Sequence, residues 1–227
     1  MIRSNSLVTF AIVLIIIGTL LTTLVPYSLY FYYLPVILLF CGLLIVWLSV
    51  RSIRFKFLSL IFPLLFYFSF QYIWIYINTV EPKTFLITND YRGKVRIFFN
   101  EKCGDEKTYE NDRRLYNIPK DGILFTQFSD EQGIVNYKFY IVEGGKRKKV
   151  EQQMVQDFNE EWTTVKNPNE PKRDKLSVFH AGRTYSDGSM EFYVCTYDEL
   201  KMYDFKYDKK FDSLINAKQK KLSRYCR

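Results

Sequence analysis

The sequence predicts a membrane protein built from three transmembrane α-helices followed by a mainly β domain, an antiparallel sandwich that ends in a helix. Three observations carry this expectation. All 24 acidic residues of the 227-residue chain lie at or beyond Glu81. The segment before it is almost wholly apolar, with Arg3, Arg51, Arg54 and Lys56 as its only charges. Beyond it, short stretches of alternating apolar and polar side chains are broken by Gly, Pro, Asn and Asp, which is the pattern of strands and turns.

This asymmetry divides the chain into an apolar region, 1–80, and a polar domain, 81–227. The mean hydropathy of −0.12 averages the two and describes neither. The net charge of +8 splits into +4 from each part, the polar domain holding 28 cations and 24 carboxylates. A small excess on a mixed-sign domain is ordinary solubility charge, so nucleic acid is not an expected partner.

Three uncharged runs fill the apolar region, at about 7–25, 30–50 and 57–77. The first contains thirteen Leu, Ile, Val or Phe residues, and the third nine aromatics. Each has the roughly 20 residues that a helix needs to cross a 30 Å hydrocarbon layer. The first run is longer than a signal-peptide core and no small-residue cleavage site follows it, so an anchor is expected over a cleaved leader. Arg51, Arg54 and Lys56 lie between the second and third runs, whereas Pro26-Tyr27-Ser28-Leu29 carries no charge. The positive-inside rule then places the N-terminus in the cytoplasm and, after three crossings, the polar domain outside. Tyr27, Tyr30, Tyr32 and Tyr33, with Tyr72, Trp74 and Tyr76, fit an outer aromatic belt, and Trp47 an inner one. The expected location is therefore a multi-pass inner (plasma) membrane protein with a periplasmic or extracellular domain. No Asp, Glu, Lys, Arg or His lies within the runs, which argues against ion pathways, proton relays and haem or quinone sites. Gly18-x-x-x-Thr22 is a small-residue pair that can seat another helix.

In the polar domain, 84–87, 94–99, 113–118 and 123–128 read as strands, with Pro119-Lys120-Asp121-Gly122 as a turn. Residues 136–143 and 146–151 flank Gly144-Gly145, and 176–185 and 189–197 flank Ser186-Asp187-Gly188; both read as hairpins. Helices are expected at about 150–162 and 208–224, the second amphipathic with cations toward its C-terminal end.

Two runs carry a family resemblance: Tyr91-Arg-Gly-Lys-Val-Arg-Ile-Phe-Phe-Asn-Glu-Lys-Cys-Gly104 and Arg113-Arg-Leu-Tyr-Asn-Ile-Pro-Lys-Asp-Gly-Ile-Leu-Phe-Thr-Gln-Phe128. They resemble an uncharacterised β domain of Bacteroidota membrane proteins and lipoproteins. The resemblance implies a transthyretin-like fold and an envelope location, and no chemistry.

No catalytic, cofactor-binding or metal-binding residue is expected. His180 is the only histidine; its strand phase with Leu176 and Val178 suits a half-buried structural role better than a general base. There is no P-loop, GxGxxG, GxSxG or HExxH motif, and Asp204 and Asp208 lack calcium-loop spacing. Cys103, Cys195 and Cys226 fall in the expected oxidising compartment, where one disulfide is expected and Cys103–Cys195 is the preferred pair. Lys146-Arg147-Lys148-Lys149 is a basic cluster beside a hairpin tip, able to contact anionic headgroups or a partner. The expected partners are thus the lipid bilayer and a membrane or envelope protein. The favoured function is an anchored, non-enzymatic envelope module that presents its β domain for protein–protein interaction. The alternatives are an immunity or regulatory subunit acting through its transmembrane helices, and a hydrolase using His180.

Overall fold

The computed structural model describes residues 4–24, 33–185, 187–203 and 209–226. The chain divides into two compact units, 1–79 and 80–227.

The first unit holds α1 (Asn5–Leu24), α2 (Tyr33–Leu48) and α3 (Ile53–Asn78). Among the described residues, two helices are long and apolar enough to cross a membrane, α1 and α3. This corrects the expectation of three spans. The 16 residues of α2 rise about 24 Å, short of the roughly 30 Å hydrocarbon thickness. The second run was expected to begin at 30, but 25–32, including the 26–29 turn and Tyr27, Tyr30 and Tyr32, lie outside the described residues. The third run starts earlier than expected, because Ser52 caps α3 by accepting from the Phe55 amide at 3.4 Å. Arg54 and Lys56 therefore belong to its first turns and not to a loop. Gly18 and Gly42 bring α1 and α2 together: a Cβ on Gly18 would stand 2.6 Å from the Leu39 nitrogen, and one on Gly42 2.7 Å from the Ala11 oxygen. Ala11, Ile15 and Val46 fill that contact.

The second unit is a sandwich of two five-stranded sheets. Its strands are β1 (Lys83–Thr88), β2 (Gly93–Phe98), β3 (Thr108–Glu110), β4 (Arg113–Ile118), β5 (Ile123–Phe125), β6 (Tyr137–Glu143), β7 (Lys146–Val150), β8 (Gln152–Gln153), β9 (Ser177–Thr184) and β10 (Ser189–Cys195). The first sheet runs β3-β4-β1-β6-β7 and the second β5-β2-β10-β9-β8. Both are mixed, which corrects the antiparallel expectation: β1 is parallel to β4 and β6, β2 to β5, and β8 to β9. The reason is the path of the chain. After β1 it passes through the other sheet as β2 before returning as β3 and β4, and it passes through again as β5 before β6. Each return lays the new strand beside an old one in the same direction.

Inward-facing side chains from both sheets form one aromatic-rich core. Phe85 stacks on Tyr116 and Phe139 at centroid distances of 5.0 and 4.9 Å, and meets Phe192 of the opposite sheet at 5.4 Å. The turn Pro119–Gly122, closed by Gly122 donating to the Pro119 carbonyl at 2.9 Å, carries the chain between sheets. The two expected hairpins are present as β6–β7 and β9–β10. The first turns on Gly144 and Gly145, whose φ values of 54° and 79° suit a type I′ turn.

The expected helix at 150–162 is not formed. Val150 completes β7, Gln152 and Gln153 pair with β9, and only a 3-10 turn follows at Val155–Asp157. Phe158 then stacks on Tyr197 at 3.8 Å, which commits this segment to covering the second sheet. A short α4 (Tyr197–Tyr203) follows β10, and α5 (Lys209–Tyr225) corresponds to the expected C-terminal helix. Phe211 and Ile215 of α5 pack on Phe98, Ile123 and Phe125.

Candidate functional site

Two clusters of buried charge mark the β domain. The first lies where β1 and β4 begin. Lys83 and Arg114 are in register and share the inward phase of Phe85 and Tyr116, so both cations point into one end of the core. Arg114 donates to Glu81 at 2.5 Å, to the Ser129 carbonyl at 2.8 Å and to Glu131, and its guanidinium stands 5.1 Å from the Phe128 ring. The bond from Arg114 holds the Glu81 carboxyl below the usual carboxylate range. Burial lowers the basicity of Arg114, but its bonds to Glu81 and Glu131 outweigh that and raise it.

Lys83 is treated differently. It is 1% exposed, and its ammonium lies 5.3 Å from the Phe99 ring. Among the described residues no hydrogen bond or ion pair reaches the ammonium; Asp130 and Glu131 act only at longer range. Burial therefore pushes its pKa down. The neighbouring Tyr116 and Tyr137 hydroxyls are pushed up by the same desolvation.

The second cluster lies on the outer face of the second sheet. Glu191 of β10 is buried and accepts from Tyr185 at 2.9 Å and Tyr193 at 3.3 Å, with Lys94 of β2 at 2.9 Å. Beside it Arg96 donates to Ser189 at 3.0 Å and to Asp187 at 2.8 Å. Burial opposes ionisation of Asp187, yet Ser189 and Arg96 hold its pKa down. Both carboxylates are held by structural partners, an arrangement that ties strands together.

The sequence-derived candidates are placed as follows. The disulfide joins Cys103 to Cys226, with Cα atoms 6.0 Å apart, which corrects the expected Cys103–Cys195 pair. Cys195 is fully buried on β10 among Phe158, Phe179, Tyr197 and Leu200. Its thiol is pushed up to about 12 by burial. Cys103 and Cys226 are both exposed and meet because α5 runs back along β5.

Lys146–Lys149, beside the Gly144-Gly145 turn, form most of β7, at the edge of the first sheet and exposed throughout. Arg147 is paired with Glu110. Consecutive cations on an edge strand discourage edge-to-edge pairing with other chains. His180 sits at the bulge between β9 and β10 with φ 57°, its ring 6.0 Å from Tyr193. Its Nε2 is buried with no hydrogen-bond partner among the described residues. Ser186, and the 204–208 segment with Asp204 and Asp208, lie outside the described residues.

A groove of about 240 Å³ opens between α5 and the β5 side of the sandwich, lined among others by Asp105, Phe125, Lys221 and the disulfide. Burial pushes the Asp105 carboxyl up, and Lys218 partly offsets it. Neither charged cluster is among the sequence-derived candidates. The inward phase of Lys83 and Arg114 with Phe85 and Tyr116 was the available sequence signal.

Residues 79–187 match a family described as a family of unknown function, DUF6843. The match includes both runs that carry the family resemblance, and the strands β1 to β9. No curated protein matches the chain. Among solved structures, a crystal structure titled as a "Putative Lipoprotein from Bacillus anthracis" aligns with 66% of this chain and 99% of that one, at 16% identity and a TM-score of 0.42.

Proposed function

We propose that the chain is a membrane-anchored envelope protein whose β domain faces an oxidising, extracytoplasmic compartment and engages a protein partner there, without catalysing a reaction. The observation that carries this reading is α3. Its 26 residues extend about 39 Å, and its Leu, Ile, Phe, Tyr and Trp side chains are exposed along almost the whole length. Such a surface is unfavourable in water at roughly 25 cal/mol per Å² and is relieved by hydrocarbon. The side of the membrane is argued from the disulfide, since paired cysteines persist in oxidising compartments. The non-catalytic reading is supported by the use of Arg114, Glu81, Glu131, Lys94, Glu191, Arg96 and Asp187 in one another's structural bonds.

Alkylation of intact cells with a membrane-impermeant maleimide tests this. Cys103 and Cys226 should label only after external reductant, while the protein stays in the membrane fraction at alkaline pH. Labelling that needs cell lysis, or that proceeds fully without reductant, overturns the compartment. Crosslinking in the same cells should recover a second protein; recovery of the chain alone counts against the partner.

A further inference from the structure

The cationic excess of the β domain is concentrated on a single helix. Between Lys209 and Tyr225, α5 holds six cations and one carboxylate, a net of +5. The remaining residues from 81 onward hold 22 cations and 23 carboxylates, close to neutral.

The placement of these charges is specific. Phe211 and Ile215 are buried against Phe98, Ile123 and Phe125, and Lys218 is turned to Asp121 and the Ile123 carbonyl. With 3.6 residues per turn, Lys209, Lys210, Lys220, Lys221 and Arg224 fall together on the opposite arc, and all five are exposed. Asp212, the only carboxylate of the helix, lies on the flank. The disulfide from Cys226, one residue beyond α5, fixes this end of the helix to the Cys103 loop.

We infer that the outer face of α5 is a docking surface for the anionic headgroups of a bilayer. Lysines dominate the arc, and no aromatic side chain stands among them. That composition suits a diffuse array of phosphates better than a protein interface, which is built around aromatic and arginine anchors in fitted pockets. Because its apolar face is packed on the sheet and its end is covalently pinned, α5 engages headgroups by charge and does not insert. The contact is therefore sensitive to salt, and each cation removed weakens it roughly fivefold. The inference rests on the membrane-anchored reading, which brings the domain to a lipid surface.

The test uses the full chain reconstituted into zwitterionic vesicles and into vesicles containing phosphatidylglycerol, followed by lysine acetylation and mass spectrometry. Acetylation of Lys209, Lys210, Lys220 and Lys221 should fall several-fold in the anionic vesicles and recover at high salt. In K220Q/K221Q/R224Q the protection of Lys209 and Lys210 should be lost, with lysines elsewhere unchanged. Equal acetylation in both vesicles overturns the inference while leaving the anchor intact, provided the chain floats with both. Protection seen only in native membranes, and absent from the anionic vesicles, overturns it in favour of a protein partner. Flotation with neither vesicle overturns both readings. Flotation with anionic vesicles alone, abolished in the variant, supports the α5 surface and overturns the anchor.

Discussion

Arg114 and Lys83 sit side by side in the sheet and have opposite effects on stability. Arg114 is almost fully buried, but its charge is answered by Glu81, Glu131 and a carbonyl. Arg114→Leu leaves Glu81 and Glu131 without their cation, and a loss of about 2–3 kcal/mol is expected in urea unfolding; half-exposure of Glu81 keeps it below the fully buried range. The same pair sets an acid limb. The Glu81 carboxyl is depressed in the folded state, so its contribution is present above the ordinary carboxylate value and is lost as pH falls through the folded one. In Arg114→Leu that acid dependence should flatten. Lys83, by contrast, is buried without an ion pair, and its pKa is lowered in the folded state. Protonating it opposes folding, so stability rises with pH between its depressed value and the ordinary lysine value. Lys83→Met keeps the stem and removes the charge. It should raise the urea midpoint at neutral pH and abolish the alkaline rise; a lowered midpoint would show that the ammonium is needed. Both residues could be singled out in the sequence by their inward strand phase, but not their fates. Those depend on Glu81 and Glu131 arriving from two loops.

At the scale of elements, local chemistry was legible where one short segment contains both partners. Gly144-Gly145 specifies the β6–β7 turn, and the amphipathic pattern of 208–224 specifies α5. The start of α4 rests on an equally local device, Thr196-x-x-Glu199. The Thr196 amide donates to Glu199 at 2.8 Å, and the Glu199 amide donates back to the Thr196 hydroxyl at 3.2 Å, a capping box. Thr196→Ala should cost about 1 kcal/mol, read as faster hydrogen exchange of the α4 amides with the β10 amides unchanged. The 150–162 segment failed as a helix because its apolar residues are claimed by distant surfaces. Val150 belongs with Phe139 across β6–β7, and Phe158 with Tyr197. A weak amphipathic period does not outweigh that burial. The short α2 failed as a span for a different reason: an apolar run in sequence gives the length of hydrophobic chain, not the length of helix.

The whole β domain is closed by a covalent link across 123 residues. Chain-entropy arguments assign such a loop about 5 kcal/mol of stabilisation through restriction of the unfolded ensemble. Cys103→Ser should lower stability substantially and first free α5, seen as protease cleavage between α5 and β10 before the sheets open. Simultaneous opening of both would show that α5 is held by Phe98, Ile123 and Phe125 alone.

The sequence by itself determined the division at about residue 80, the β character of the second part, the Gly-Gly hairpin and the cationic C-terminal helix, because charge segregation, turn chemistry and periodicity act over a few residues. The tertiary structure decided the parallel neighbours of β1, the length of α2, the pairing of Cys103 with Cys226 and the separate fates of Lys83 and Arg114. Each of these depends on which distant segments are brought together, and burial against those segments outweighs the local preferences visible along the chain.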